Sequence, residues 1–180
     1  SMSKAVTSLA VMILFEEGHF LLDEPVSRYI PAFNRDMKVL VPIEEGGDGG
    51  KSYRLESAKK PITIRQLLTH TSGLTYSFFG QEHISDIYRQ AGITEGLTNP
   101  EGTISDMVEK LATRPLISQP GEKWQYGLST DVLGYLIEVV SGRPLDVFLR
   151  ERIFEPLEMH DTYFYLPQDK VQRLATVYTP

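Results

Sequence analysis

Cysteine is absent from the 180 residues. That excludes a disulfide framework, a thiolate nucleophile and any metal site with a Cys ligand, and it leaves the redox compartment open. A surplus of cations is missing as well: 18 Lys and Arg stand against 24 Asp and Glu, a net charge of -6. Nucleic acid or an anionic membrane surface would need a concentration of Lys and Arg, so neither is expected as a partner. The longest apolar run, Ala5 to Phe15, falls short of the roughly 20 residues that span a bilayer. With no basic segment before it, it is not read as a signal peptide either. Histidine is scarce: His19, His70, His83 and His160 show no His-x-x-x-His or His-Glu-x-x-His spacing, so no metal and no cofactor is expected. Compartment is not legible beyond a lean toward the cytoplasm, and oligomeric state is not legible at all.

What is there is ordinary globular material, 41% hydrophobic and 23% charged, without repeats or low-complexity tracts, and it suits one domain over residues 1–180. The run from Ala5 to Phe15 is apolar all round, which predicts a core helix buried on several sides. Asp23 and Pro25 open a short helix to Ile30. Periodicity then lapses from 34 to 60, where Glu44 to Ser52 reads as a loop between short strands. Thr63 caps a helix from Ile64 to His70, another covers about 82–91, and Thr103 caps a third over 104–113. Thr130 or Asp131 starts a helix to Val140 that Ser141-Gly142 stops, and Pro144 begins the next, to about Arg152. Strand-like pieces at 162–165 and 175–178 flank a helical turn at 168–173. The whole is mostly α, with too few strands for a sheet of its own.

The chemistry-bearing pattern is Ser-x-x-Lys. It occurs twice, at Ser1-Met2-Ser3-Lys4 and at Ser57-Ala58-Lys59-Lys60, and about one occurrence is expected by chance in a chain this long. The second precedes Pro61, which disfavours helix for the residue before it. The first runs into the apolar helix. There Ser1 and Lys4 share a face, and partial desolvation is expected to depress the lysine toward the range of a useful base. Gly46 to Ser52 fails as a phosphate loop because Glu45 stands where its first glycine belongs. His70, at a helix end before Thr71-Ser72-Gly73, suits C-terminal capping and dipole compensation at least as well as chemistry, and it is not read as catalytic. Tyr126, just before Gly127 in the loop after Pro120-Gly121, would ionise more easily beside an ammonium and could share a proton with Ser1 and Lys4.

The Ser1–Lys4 pattern is followed in order by Leu67-Leu68-Thr69-His70-Thr71-Ser72-Gly73-Leu74, Pro120-Gly121-Glu122-Lys123-Trp124-Gln125-Tyr126, Leu133-Gly134-Tyr135-Leu136-Ile137-Glu138, Ser141-Gly142-Arg143-Pro144-Leu145 and Ile153-Phe154-Glu155-Pro156-Leu157-Glu158-Met159. In this series the chain resembles serine hydrolases related to penicillin-binding proteins and class C β-lactamases, and within them the family VIII carboxylesterases. The resemblance implies the helical region of an α/β fold whose antiparallel sheet lies largely outside the 180 residues. It also implies that this piece alone is inactive, since no Lys/His-x-Gly third motif is found. It implies Ser1 as the acyl-accepting nucleophile, Lys4 as its base and Tyr126 as the proton relay to the leaving group, with the Ser1 N–H as one oxyanion donor. Where the lactamases and peptidases continue Tyr-x-Asn, this chain has Leu128. Loss of that amide tilts the expected substrate toward small-molecule esters lying against Leu128, Phe78 and Phe79. The alternatives are a β-lactamase or D,D-peptidase, a transacylase of the same mechanism, and a catalytically silent scaffold.

Overall fold

Helix α5 (Ser129–Ser141) is the hub, in a computed structural model that describes residues 1–34, 36–43, 52–79, 82–96, 102–176 and 178. Its Val132, Leu133, Leu136 and Ile137 are all buried, a helical spacing that gives one broad apolar face. Around it pack α1 (Ser3–Glu16), α2 (Ile64–Leu68), α4 (Ile104–Leu111) and α6 (Leu145–Leu149). Helix α3 (Glu82–Gln90) adds buried Ile84 and Tyr88 to the same core. Short 3₁₀ turns occupy Val26–Arg28, Pro31–Asn34 and Gln168–Arg173, and α6 passes into a π turn at Arg150–Phe154.

The helix ends are set by local chemistry. Thr63 and Thr103 each make a reciprocal capping box, with Gln66 and Asp106 respectively, satisfying two otherwise orphaned N–H groups per helix. Gly142 ends α5 in the left-handed conformation at φ 67°, the usual stop for a helix. Helix α1 departs from the expectation of burial on several sides. Its buried residues are Thr7, Ala10, Val11 and Leu14, a single stripe, and Leu9 points outward at 46% exposure. The stripe packs on α5, with Val6, Ile13 and Phe15 partly buried at its flanks.

A two-stranded antiparallel sheet pairs β1 (Lys38–Ile43) with β2 (Ser52–Ser57) in the register Lys38↔Ser57 to Ile43↔Ser52. The strands expected on either side of the loop after 43 are therefore present, while Glu44 to Lys51, including the glycine-rich run, lies outside the described residues. Leu116 attaches to the same strand, its N–H donating to the Lys38 carbonyl and its carbonyl accepting from Leu40, both at 2.8 Å. Residues 162–165 form bends rather than a strand: alternation there has no neighbouring strand to pair with, and a strand without a partner leaves its backbone groups unsatisfied. The molecule is thus mainly helical with one small ribbon.

Candidate active site

Two loops are zipped together to build the site. The Gly121 N–H donates to the Thr71 carbonyl and the Gln125 N–H to the His70 carbonyl, each at 2.7 Å, and the Ile117 N–H donates to Gly73 at 3.0 Å. Side chains add to this: Gln125 Nε2 donates to Thr75 Oγ1 at 2.9 Å, and the buried hydroxyls of Ser72 and Ser129 bond each other at 2.9 Å. The contact is so close that a Cβ on Gly127 would lie 2.3 Å from the Thr75 Cα, and one on Gly73, at φ +88°, 2.4 Å from the Ser118 carbonyl oxygen. Only glycine allows two backbones to approach this far. Tyr126 is thereby fixed three residues before the start of α5, and α5 packs on α1.

This brings Tyr126 to the start of α1. Ser1 lies just outside the helix, with its carbonyl accepting from the Lys4 N–H at 3.2 Å. Its Oγ shares a 2.5 Å hydrogen bond with the Tyr126 hydroxyl, 125 residues away in sequence, and accepts from Lys4 Nζ at 3.4 Å. Lys4 Nζ sits 4.9 Å from the centre of the Tyr126 ring and 5.7 Å from that of Tyr76, close enough for attraction to both π faces. The three residues expected to meet, Ser1, Lys4 and Tyr126, do meet.

The electrostatics differ from the expectation for Lys4. Burial pulls its ammonium down, but hydrogen bonds with Tyr126 and Tyr76 outweigh that, and its pKa lies above the ordinary lysine value. The Tyr126 phenol is held below its ordinary value by hydrogen bonds with Lys4 and then Ser1. Desolvation alone favours a neutral amine, whereas an acidic partner stabilises the ammonium and its own anion together. The arrangement therefore favours a lysine cation beside a phenol that ionises readily.

The aromatic surroundings also differ in part from expectation. Phe78 and Phe79 are half exposed, at 52% and 49%, and stand next to the centre: Phe79 is 5.8 Å from the Tyr126 ring and Phe78 stacks on Tyr76 at 4.9 Å. Leu128 is a correction. It is fully buried, because it leads the same stripe as Val132 and Leu136, four and eight residues on, so an ester cannot lie against it. Trp124, 67% exposed, takes up a parallel offset stack on Tyr126 at 6.2 Å. Tyr76, Trp124 and Asp131 had no sequence signal that marked them for the site. Asp131, in the first turn of α5, has its carboxyl pushed up to about 6 by burial, with Lys4 opposing and Glu95 adding to the rise. Among the described residues no group of His, Asp and Glu could hold a metal ion, and no helix is long and apolar enough to cross a membrane.

A serine at a helix start facing a loop tyrosine on a helical domain fits the β-lactamase/transpeptidase-like fold, and the comparisons agree. The family model described as Beta-lactamase matches residues 1–180. The chain is 34% identical over 165 residues to esterase EstB of Burkholderia gladioli, covering 91% of this chain and 37% of that protein. It is 33% identical over 171 residues to a monacolin J acid methylbutanoyltransferase of Aspergillus terreus, covering 93% and 38%. The solved structure of EstCE1, a hydrolase with promiscuous acyltransferase activity, superimposes with a TM-score of 0.75 at 31% identity, over 94% of this chain and 40% of that one. The chain belongs to the β-lactamase family of serine enzymes, near the family VIII esterases. It spans about two fifths of the length of these relatives, which include both esterases and acyltransferases.

Proposed function

We propose that the protein containing this chain is a serine ester hydrolase that forms an acyl–Ser1 intermediate. The observation that carries this reading is the 2.5 Å bond between Ser1 Oγ and the Tyr126 hydroxyl, with Lys4 Nζ at 3.4 Å from the same Oγ. In the proposed step the Tyr126 phenolate takes the Ser1 proton as Oγ attacks the ester carbonyl, and the same phenol returns it to the departing alkoxide. Lys4 remains an ammonium. It lowers the phenol's pKa and balances the charge that passes through the site, a role in keeping with the raised lysine and lowered tyrosine values. The base is thus assigned to Tyr126 in place of Lys4.

The lack of an amide side chain at Leu128 supports ester rather than amide turnover. The position that would present an amide side chain to a lactam or peptide is filled by a buried leucine. Phe78, Phe79 and Trp124 supply an apolar rim for the acyl or alcohol part. The family relatives include a methylbutanoyltransferase, so an alcohol competing with water for the acyl group is the variant to measure. The test is hydrolysis of p-nitrophenyl esters by the full-length protein, with added alcohols and with nitrocefin as competing assays. Loss of turnover and of fluorophosphonate labelling in Ser1→Ala supports the reading. Unchanged turnover in Ser1→Ala, or nitrocefin turnover above ester turnover, overturns it.

A further inference from the structure

We propose that His70 is a positioning residue for Tyr126, its imidazole and its left-handed backbone together holding the phenol against Ser1 and Lys4. The inference rests on the reading of Ser1 and Tyr126 as the acyl-transfer pair.

The backbone provides the first observation. His70 has φ 53°, a left-handed conformation shared among the described non-glycine residues only with Glu158. Such a conformation on a side chain other than glycine is costly and persists where surrounding structure enforces it. Here the enforcement is visible. The His70 N–H donates to the Leu67 carbonyl at 3.3 Å, closing α2, and its carbonyl accepts from the Gln125 N–H at 2.7 Å. That second bond grips the residue directly before Tyr126.

The side chain provides the second. The imidazole ring lies 5.1 Å from the Tyr126 ring, tilted by 51°, and 6.3 Å from Trp124. Its Nδ1 is buried without a hydrogen-bond partner, and a buried polar atom left unsatisfied calls for a reason. A residue serving only as a helix cap needs neither the ring contact nor the buried nitrogen; an apolar ring or a glycine would do. Among the described residues the titratable groups facing the ring are Lys4, from α1, and Tyr126, from the loop before α5. Desolvation, with the Lys4 charge in support, holds His70 below the ordinary histidine value. Both effects disfavour a second cation beside the Lys4–Tyr126 pair. The helix-end reading of His70 holds for its backbone, and the ring adds a second role.

The test is His70→Asn in the full-length protein, since asparagine accepts the left-handed backbone while removing the ring. Two readouts are taken: the ester kcat/KM against pH, and the ultraviolet difference titration of Tyr126, referenced to Tyr126→Phe. The expected result is a fall in kcat on the order of tenfold or more with KM little changed, as for a misplaced catalytic group, and a Tyr126 titration moved up toward the ordinary tyrosine range. A kcat within about twofold of wild type together with an unmoved Tyr126 titration overturns the proposal. If His70→Asn does not fold, wild-type protein decides: NMR signals of the Tyr126 ring that follow the His70 titration support coupling, and signals that ignore it overturn the proposal. Should Ser1→Ala remain active, the nucleophile reading fails, while the Tyr126 titration still judges His70 on its own.

Discussion

Two segments carry the same Ser-x-x-Lys spelling and end in different chemistry. Ser57 closes β2 opposite Lys38, whose Nζ donates to it at 3.1 Å, and Lys60 lies exposed beyond the strand. The strand ends at Ser57 and Lys60 lies in the bend after it, so this serine takes its cation from across the ribbon, while its carbonyl accepts from Gln119 Nε2 at 3.4 Å. Ser1 leads a helix, where three residues make roughly one turn; its lysine folds back onto it, and a tyrosine arrives from 125 residues away. Spacing acquires meaning only with the element that bears it and the partner that packing delivers.

The sharpest break in that comparison is a pair of single substitutions. Ser1→Ala is expected to lower ester kcat by a factor of about 10³ or more, and Ser57→Ala to leave it within about twofold, both measured with p-nitrophenyl esters. Tyr126→Phe should cost about 10²- to 10⁴-fold. With the phenolate as the proposed base and its pKa depressed, wild-type kcat/KM should rise with pH to a plateau below the ordinary tyrosine range, and the variant should lose that limb. Gly127→Ala forces a Cβ to within 2.3 Å of Thr75. Overpacking of this kind costs about 1–3 kcal/mol, read by denaturant unfolding, and should lower activity through Tyr126 without touching Ser1. The smallest effect concerns Asp131→Asn. The wild-type carboxyl rises from 3.8 to about 6 on folding, so the folded state holds a proton that the unfolded chain releases. Stability is then greatest below about pH 4 and declines as pH climbs to about 6. The asparagine variant should gain at most about 3 kcal/mol at neutral pH and nothing at pH 4, seen as a Tm difference that closes on acidification.

Local rules carried much of the fold. Thr63, Thr103, Gly142 and Pro144 mark helix ends through chemistry contained within a few residues, and the start of α1 beside Ser1 and Lys4 is legible for the same reason. The helix expected to reach His70 stops at Leu68, with Thr69 as its cap; fraying of a short helix before a left-handed residue depends on the bonds that hold that residue, which come from Gln125. Tyr126 could be named from the order of the motifs, whereas its 2.5 Å approach to Ser1 depends on α1 packing on α5 and on the zipped loops. The direction of the Lys4 shift is not legible in the sequence, because desolvation can be anticipated from apolar neighbours, and two tyrosine hydroxyls brought from afar cannot. Leu128 is different: its place ahead of Val132 and Leu136 was readable as the head of an apolar stripe, and motif comparison obscured that periodicity.

The aromatic loop after Thr75 is anchored at Ser77, whose carbonyl accepts from the Ser85 hydroxyl and whose other polar groups bond one carboxylate. Glu95 accepts from the Ser77 N–H and, at 2.6 Å, from its hydroxyl, while Phe78 and Phe79 project from the segment so anchored. For protein engineering this separates two tasks. The reach and rigidity of the proposed apolar rim can be retuned at Ser77 and Glu95, where neither Ser1 nor Tyr126 is touched, so in the proposed enzyme substrate range and acyl-transfer rate would be adjustable by different sets of substitutions.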